Sequence, residues 1–235
     1  MPDRAARPVE PPPSRFAFDP QRVWGEDVVA VGADLEPGTL LAAYRAGVFP
    51  MGVGRRGGGP LAWWSPDPRG VLLPGGLKVS RSLRKSCRTF DITIDTDFEG
   101  VVAGCADPSR EGRWITPALA AAYLRLHRAG WAHSIEVRRD GDLVGGLYGV
   151  AIGGFFAGES MFHRVSDASK AALVGLVDVL FADRDTRRFI DTQWSTPHLA
   201  SLGVVDIPQS DYLRRLSWAL ELDPPVGLME AWRPR

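Results

Sequence analysis

The sequence predicts an α+β protein: a small N-terminal domain followed by a mixed sheet with helices on its faces. Three observations carry this. From His133 onward, apolar stretches with a period of two alternate with stretches of helical period. The stretch 143–164, LVGGLYGVAIGGFFAGESMFHR, reads as two apolar strands joined by Gly153-Gly154. A loop over 52–60 with five glycines separates a short N-terminal pattern from everything that follows.

In chain order, residues 1–15 are rich in Pro and Arg, lack apolar periodicity and read as a disordered tail. The small domain spans 16–62 and the larger one 63–235. Thr39 caps a helix over 40–47 that Gly47 ends, and 52–60 is a mobile loop. Trp63-Trp64 before a Pro-rich turn reads as core packing or a domain seam, and 71–73 as a strand. Ser80 caps a helix on which Arg81, Arg84, Lys85 and Arg88 recur at i, i+3, i+4 and i+7. Four like charges on one face repel, so the spacing leaves open a solvated face or a phosphate-binding one. Phe90–Ile94 alternates as a strand, and Asp97 caps a short helix. Thr116-Pro117 opens a helix with a Leu119, Tyr123, Leu126 stripe that Gly130 stops. His133–Arg139 alternates and turns at Asp140-Gly141 into the hairpin.

The hairpin strands are expected at 143–150 and 155–158, with Glu159 just beyond the second. A carboxylate there is costly unless paired or used, and the six glycines of the stretch suit a close ligand approach. A helix over 168–181 follows, then a strand over 188–193. Asp191 and Gln193, two apart, share a strand face, which is either a lined cleft or a wet sheet edge. Thr196 and Ser210 cap two more helices, the second over 211–222, and the chain after Pro224 reads as loose.

Net charge is zero, which excludes a uniformly basic nucleic-acid binder but not a local basic patch. No apolar run approaches the ~18 residues of a membrane span. The N-terminus lacks the apolar core of a signal peptide, so a cytoplasmic protein is expected. Cys87 and Cys105 form neither a disulfide framework nor a metal signature. Walker, GxGxxG and GxSxG turns are missing, and no Ser or Cys stands beside an evident His–Asp pair. The chemistry that remains is non-covalent: an amine nucleophile and an activated carbonyl, with Asp, Glu or Gln assisting proton transfer.

Ten runs taken together resemble the leucyl/phenylalanyl-tRNA–protein transferase family. They are YRAGVFPM (44–51), WWSPDPRGVL (63–72), SRSLRK (80–85), WITPALAAAY (114–123), HSIEV (133–137), LVGGLYGVAIG (143–153), GESMFHR (158–164), DASKAAL (167–173), DTQ (191–193) and HLASLG (198–203). The resemblance implies a C-terminal domain with the acyltransferase fold of the GCN5-related N-acetyltransferases, without metal or dissociable cofactor. It implies transfer of Leu or Phe (and Met more weakly) from aminoacyl-tRNA to proteins beginning with Arg or Lys, marking them for N-end rule degradation. The expected protein is monomeric and needs no membrane.

By the same resemblance, Asp191 polarises Gln193, which holds the attacking amine, and Glu159 holds an ammonium or guanidinium. Trp114, Leu147, Phe156, Met161, Leu176, Leu180 and Ile190 form the side-chain pocket. Arg81, Arg84 and Lys85, with Arg88 on the same face, meet the tRNA. Met51 departs from the family, where an aromatic often follows Phe-Pro. An acyl-CoA-dependent N-acetyltransferase would need a pyrophosphate turn opening a helix, and none precedes Ala168.

Overall fold

The computed structural model describes residues 7–21, 27–110 and 114–232. The N-terminal unit holds strand β1 (Val28–Val31), helix α1 (Pro37–Arg45), β2 (Phe49–Gly52) and β3 (Leu61–Trp64), its sheet ordered β1-β3-β2 and antiparallel. Trp63, at the centre of β3, is fully buried and its indole N–H donates to Gly32 O at 2.8 Å. The paired tryptophans are therefore packing. A boundary at 62–63 would cut β3, because that strand carries both of its neighbours' hydrogen bonds through Trp64. Helix α1 begins at Pro37, whose missing N–H costs nothing at a helix start, and Thr39 lies buried inside it rather than capping it.

The expected disordered tail needs correcting for its described part. Val9 donates to Ala129 O at 2.8 Å and accepts from Trp131 Nε1 at 2.8 Å. Glu10 takes Arg45 at 2.7 and 3.0 Å, and Ser14 meets Thr39 at 3.2 Å. Backbone bonds and the ion pairs Arg45–Glu10 and Arg15–Asp34 hold this stretch, and neither leaves an apolar period to read. Residues 1–6 of the expected tail lie outside the described residues.

The large sheet is formed by β4 (Arg69–Leu72), β5 (Asp91–Ile94), β6 (Ala132–Arg139), β7 (Asp142–Ile152), β8 (Phe155–His163), β9 (Phe189–Gln193) and β10 (Val205–Ile207). Its order is β10-β4-β9-β8-β7-β6-β5, antiparallel throughout except for β8 beside β9. The helices are α2 (Arg81–Cys87), α3 (Phe98–Ala106), α4 (Pro117–Arg128), α5 (Ala168–Leu180), α6 (Pro197–Ser201), α7 (Gln209–Leu220) and α8 (Val226–Ala231). Ser80, Asp97, Thr116 and Thr196 accept from the backbone N–H three residues on, as the capping pattern predicts. One core gathers the N-terminal unit, α3, α4 and α7 against the sheet; the other packs α5 and α8 on the opposite face.

The chain after Pro224 is not loose. It forms α8, and Trp232 is buried with its indole N–H on His127 O at 2.8 Å. Helix α7 starts two residues before the predicted position, leaving Ser210 inside it. The glycine-rich loop is partly packed: a Cβ on Gly57 would stand 1.9 Å from the Trp114 carbonyl oxygen.

The hairpin β7–β8 turns at Gly153-Gly154 as predicted, but β8 does not stop at Gly158; it runs on to His163. Glu159 therefore lies within a strand. Tyr148 pairs with Ser160 and Gly149 with Gly158, leaving Glu159 without a partner as a β-bulge. A second bulge lies on β9, where Gly70 faces Gln193 and Val71 faces Asp191, leaving Thr192 over. Strands β8 and β9 pair from Phe155↔Phe189 to Ala157↔Asp191 and then part. The two bulges flank that fork.

Gly149 is required beside the first bulge, since a Cβ there would come within 2.1 Å of Ala157 O and 2.4 Å of the Phe156 ring. At Gly158 a Cβ would meet only an ordinary contact at 3.5 Å. Gly149→Ala is expected to cost about 2 kcal/mol or more through overpacking, and Gly158→Ala under about 1. Urea unfolding of both variants checks this, and equal costs would refute the steric assignment.

Candidate active site

Two adjoining cavities open where β8 and β9 part. The first, of about 150 Å³, lies in the fork itself, walled by Leu147, Met161, Leu173, Leu176, Ile190 and Leu199. Tyr148, Glu159 and Gln193 stand at its polar edge. An apolar cavity of about 150 Å³ is large enough to admit a benzene ring. The second, of about 300 Å³, lies between the N-terminal unit and the sheet, walled by Phe49, Met51, Trp114 and Trp194. Glu159, Thr192, Gln193 and Leu199 line both, so the carboxylate stands at the junction.

Glu159 is 8 % exposed and is held by tyrosines from two helices. Tyr44 on α1 donates to Oε1 at 2.7 Å and Tyr123 on α4 to Oε2 at 2.6 Å. The two phenol oxygens are 2.8 Å apart. Burial pushes the carboxyl up to about 7, against the lowering effect of the two phenols. Burial likewise raises both phenols well above their ordinary value, so they stay protonated.

Asp191 is fully buried, and all its acceptor capacity goes to the protein. Arg69 Nε donates to Oδ1 at 2.9 Å and Arg69 Nη2 to Oδ2 at 2.7 Å. Tyr212 OH donates to Oδ2 at 3.1 Å, and the Gln193 backbone N–H to Oδ1 at 2.8 Å. Arg69 itself is 1 % exposed, packs over the Phe49 and Tyr212 rings at 4.9 and 4.4 Å, and donates to Gly47 O at 3.1 Å. Bidentate pairing of this kind offsets the cost of burying both charges.

The structure thus brings Glu159, Gln193, Leu147, Met161, Leu176 and Ile190 together around the fork. It separates others. Trp114 lines the second cavity rather than the fork, and Phe156 and Leu180 are buried in the core without lining either cavity. Asp191 does not polarise the Gln193 side chain; it anchors that residue's backbone. Gln193 sits at φ +62°, in the left-handed region, and its side-chain Nε2 is buried without a partner. The bulge at Thr192 breaks the shared-face geometry that strict alternation predicts.

Arg81, Arg84 and Lys85 on α2 and Arg88 at its C-terminal cap are exposed, and among the described residues no carboxylate pairs with any of them. Helix α2 packs on α5, whose other residues wall the fork. The sequence reading does not single out Arg69 or Tyr44, and it gives Tyr123 only as part of an apolar helix stripe. The argument that singled out Glu159 applies equally to Arg69, a cation opening the apolar strand RGVL. A tyrosine on the buried face of a helix likewise needs a partner for its hydroxyl.

Residues 71–217 match the family model described as leucyl/phenylalanyl-tRNA protein transferase, and residues 33–67 match that of its N-terminal domain. A leucyl/phenylalanyl-tRNA–protein transferase from Solidesulfovibrio magneticus is 50 % identical over 205 residues, covering 85 % of this chain and 81 % of that one. The one from Azoarcus is 46 % identical over 225 residues, covering 94 % and 92 %. The one from Chromohalobacter salexigens is 53 % identical over 192 residues, covering 80 % and 73 %. Among solved structures, a GCN5-related N-acetyltransferase from Kribbella flavida aligns at TM-score 0.34 and 14 % identity, over 72 % of this chain and 60 % of that one.

Removing Arg69 alone strands a buried carboxylate. Arg69→Met is therefore expected to cost about 3–5 kcal/mol, and Arg69→Met with Asp191→Leu distinctly less. Chemical denaturation of the single and double variants tests it; a double variant no more stable than the single would sink the ion-pair account.

Proposed function

The chain belongs to the leucyl/phenylalanyl-tRNA–protein transferase family and is an aminoacyltransferase, and we propose that it moves leucine or phenylalanine, and methionine more weakly, from aminoacyl-tRNA to the α-amino group of proteins beginning with Arg or Lys. The observation that carries this reading is the apolar fork cavity with a single carboxylate at its mouth. Leucine or phenylalanine side chains match its size and lining. The aminoacyl ester then falls at the junction, beside Glu159 and Gln193, and the second cavity takes what is attached to it.

An aminoacyl ester is already activated, so the reaction needs placement rather than a covalent nucleophile. Leu147, Met161, Leu176 and Ile190 bind the side chain by excluding water. Glu159 attracts the cationic end of the acceptor, and Gln193, its backbone fixed by Asp191, orients the amine. The unpaired face Arg81, Arg84, Lys85 and Arg88 meets the phosphates of the tRNA, which keeps the charge on α2 useful. The product carries a new N-terminal Leu or Phe, the mark read by N-end rule degradation. The protein acts as a cytoplasmic monomer; among the described residues no helix is long and apolar enough to cross a membrane.

Labelled Leu-tRNA offered with a protein beginning with Arg, and with one beginning with Gly, tests the reading. Label is expected on the first only. Gln193→Asn, which tolerates the left-handed backbone but shortens the side chain, should lower the rate without unfolding the protein. Arg84→Ala should weaken tRNA binding and reduce its salt slope by about one. Equal labelling of both acceptors, or tRNA binding with an unaltered slope in Arg84→Ala, would contradict these assignments.

A further inference from the structure

The cluster around Glu159 contains three oxygen–oxygen contacts: Tyr44–Glu159 at 2.7 Å, Tyr123–Glu159 at 2.6 Å and Tyr44–Tyr123 at 2.8 Å. Each contact at that distance calls for one hydrogen between the oxygens. The two phenols supply two. With Glu159 ionised, one of the three contacts has no hydrogen in it; with Glu159 protonated, all three are filled. The triangle is therefore built with room for one more proton, at the junction of the two cavities.

Resting on the transferase reading above, we propose that the Tyr44–Tyr123–Glu159 triangle is the proton acceptor of peptide-bond formation. The amine nitrogen attacks the ester carbonyl carbon, and the new C–N bond forms. As it forms, an N–H proton passes to the Glu159 carboxylate. When the C–O bond to the tRNA ribose breaks, that proton passes from Glu159 to the departing ribose oxygen, so the carboxylate is regenerated and the protons balance.

The neighbouring described groups do not fit this role. Asp191 on β9 has both oxygens committed to Arg69, Tyr212 and a backbone N–H. Gln193 is an amide and a poor base. Tyr148 on β7 is a buried phenol whose burial raises it well above its ordinary value, so it keeps its proton. The charges facing Glu159 are few: Asp191, which favours the protonated form, and Arg69 on β4, which opposes it. A carboxyl brought up to about 7 sits where a general base works best near neutral pH.

The test follows kcat for transfer from Leu-tRNA to a saturating peptide beginning with Arg, from pH about 5.5 to about 8.5. The wild-type kcat is expected to fall toward acid along a one-proton limb. Glu159→Gln should lower kcat about a hundredfold or more and abolish that limb. Tyr123→Phe removes a donor that lowers the Glu159 pKa, so its limb should move to higher pH. A Glu159→Gln protein that shows a raised KM for the peptide but an unchanged kcat and limb would overturn the proposal, leaving the carboxylate as a tether only.

Difference infrared spectra between pH about 6 and about 8 give a second readout, independent of turnover. A carboxylic C=O band is expected in wild type and lost in Glu159→Gln, and its absence from active wild type would also overturn the proposal. Wild type that shows the band yet transfers to no acceptor at any pH would defeat the transferase reading and leave the proton site standing.

Discussion

The buried pair Arg69–Asp191 is the interaction on which the site depends. It lies where β8 and β9 cease to pair, at the last rung Ala157↔Asp191. A fork in a sheet exposes backbone polar groups inside a protein, and each must find a partner or be costly. Asp191 takes the Gln193 N–H, Arg69 takes the Gly47 carbonyl, and the two charges neutralise one another. The fork is thus closed at its base and open above. Because Arg69 also packs between Phe49 and Tyr212, the same pair ties the N-terminal unit and α7 to the sheet.

The second tie between the units is polar as well. Tyr44 comes from α1 and Tyr123 from α4, and their hydroxyls meet each other and Glu159. A carboxylate on a regular strand would point to whichever face alternation assigned it. The bulge at Glu159 removes that constraint and turns the side chain to where both tyrosines reach it. The glycine at 149 is the steric condition for the bulge, so a feature of the sequence that looked like weakness in a strand is what allows the site.

Much of this was legible beforehand. The caps at Ser80, Asp97, Thr116 and Thr196, the Gly153-Gly154 turn and the period of α5 come from local backbone chemistry, and local chemistry is written in neighbouring residues. Four of the pocket residues that the family resemblance implies, Leu147, Met161, Leu176 and Ile190, line the fork. Phe156 and Leu180 are equally apolar and equally periodic, and nothing in the pattern tells a wall from the core behind it. The stretch at 7–15 and the chain after Pro224 carry no readable local signal for one reason: each is held by a few long-range contacts, such as Val9 on Ala129 and Trp232 on His127, which no local period announces.

The sequence by itself determined the fold class, the organising hairpin, the family and the residue types at the site, since these follow from periodicity, turn chemistry and quoted motifs. Only the tertiary structure decided the roles. It made Asp191 an anchor instead of a polarising group, because Arg69, 122 residues away, takes both its oxygens. It made Glu159 one corner of a three-oxygen cluster, because Tyr44 lies 115 residues away and Tyr123 lies 36. Hydrogen bonds between distant residues depend on how strands register and bulge, and register is a property of the folded sheet rather than of any one stretch of the chain.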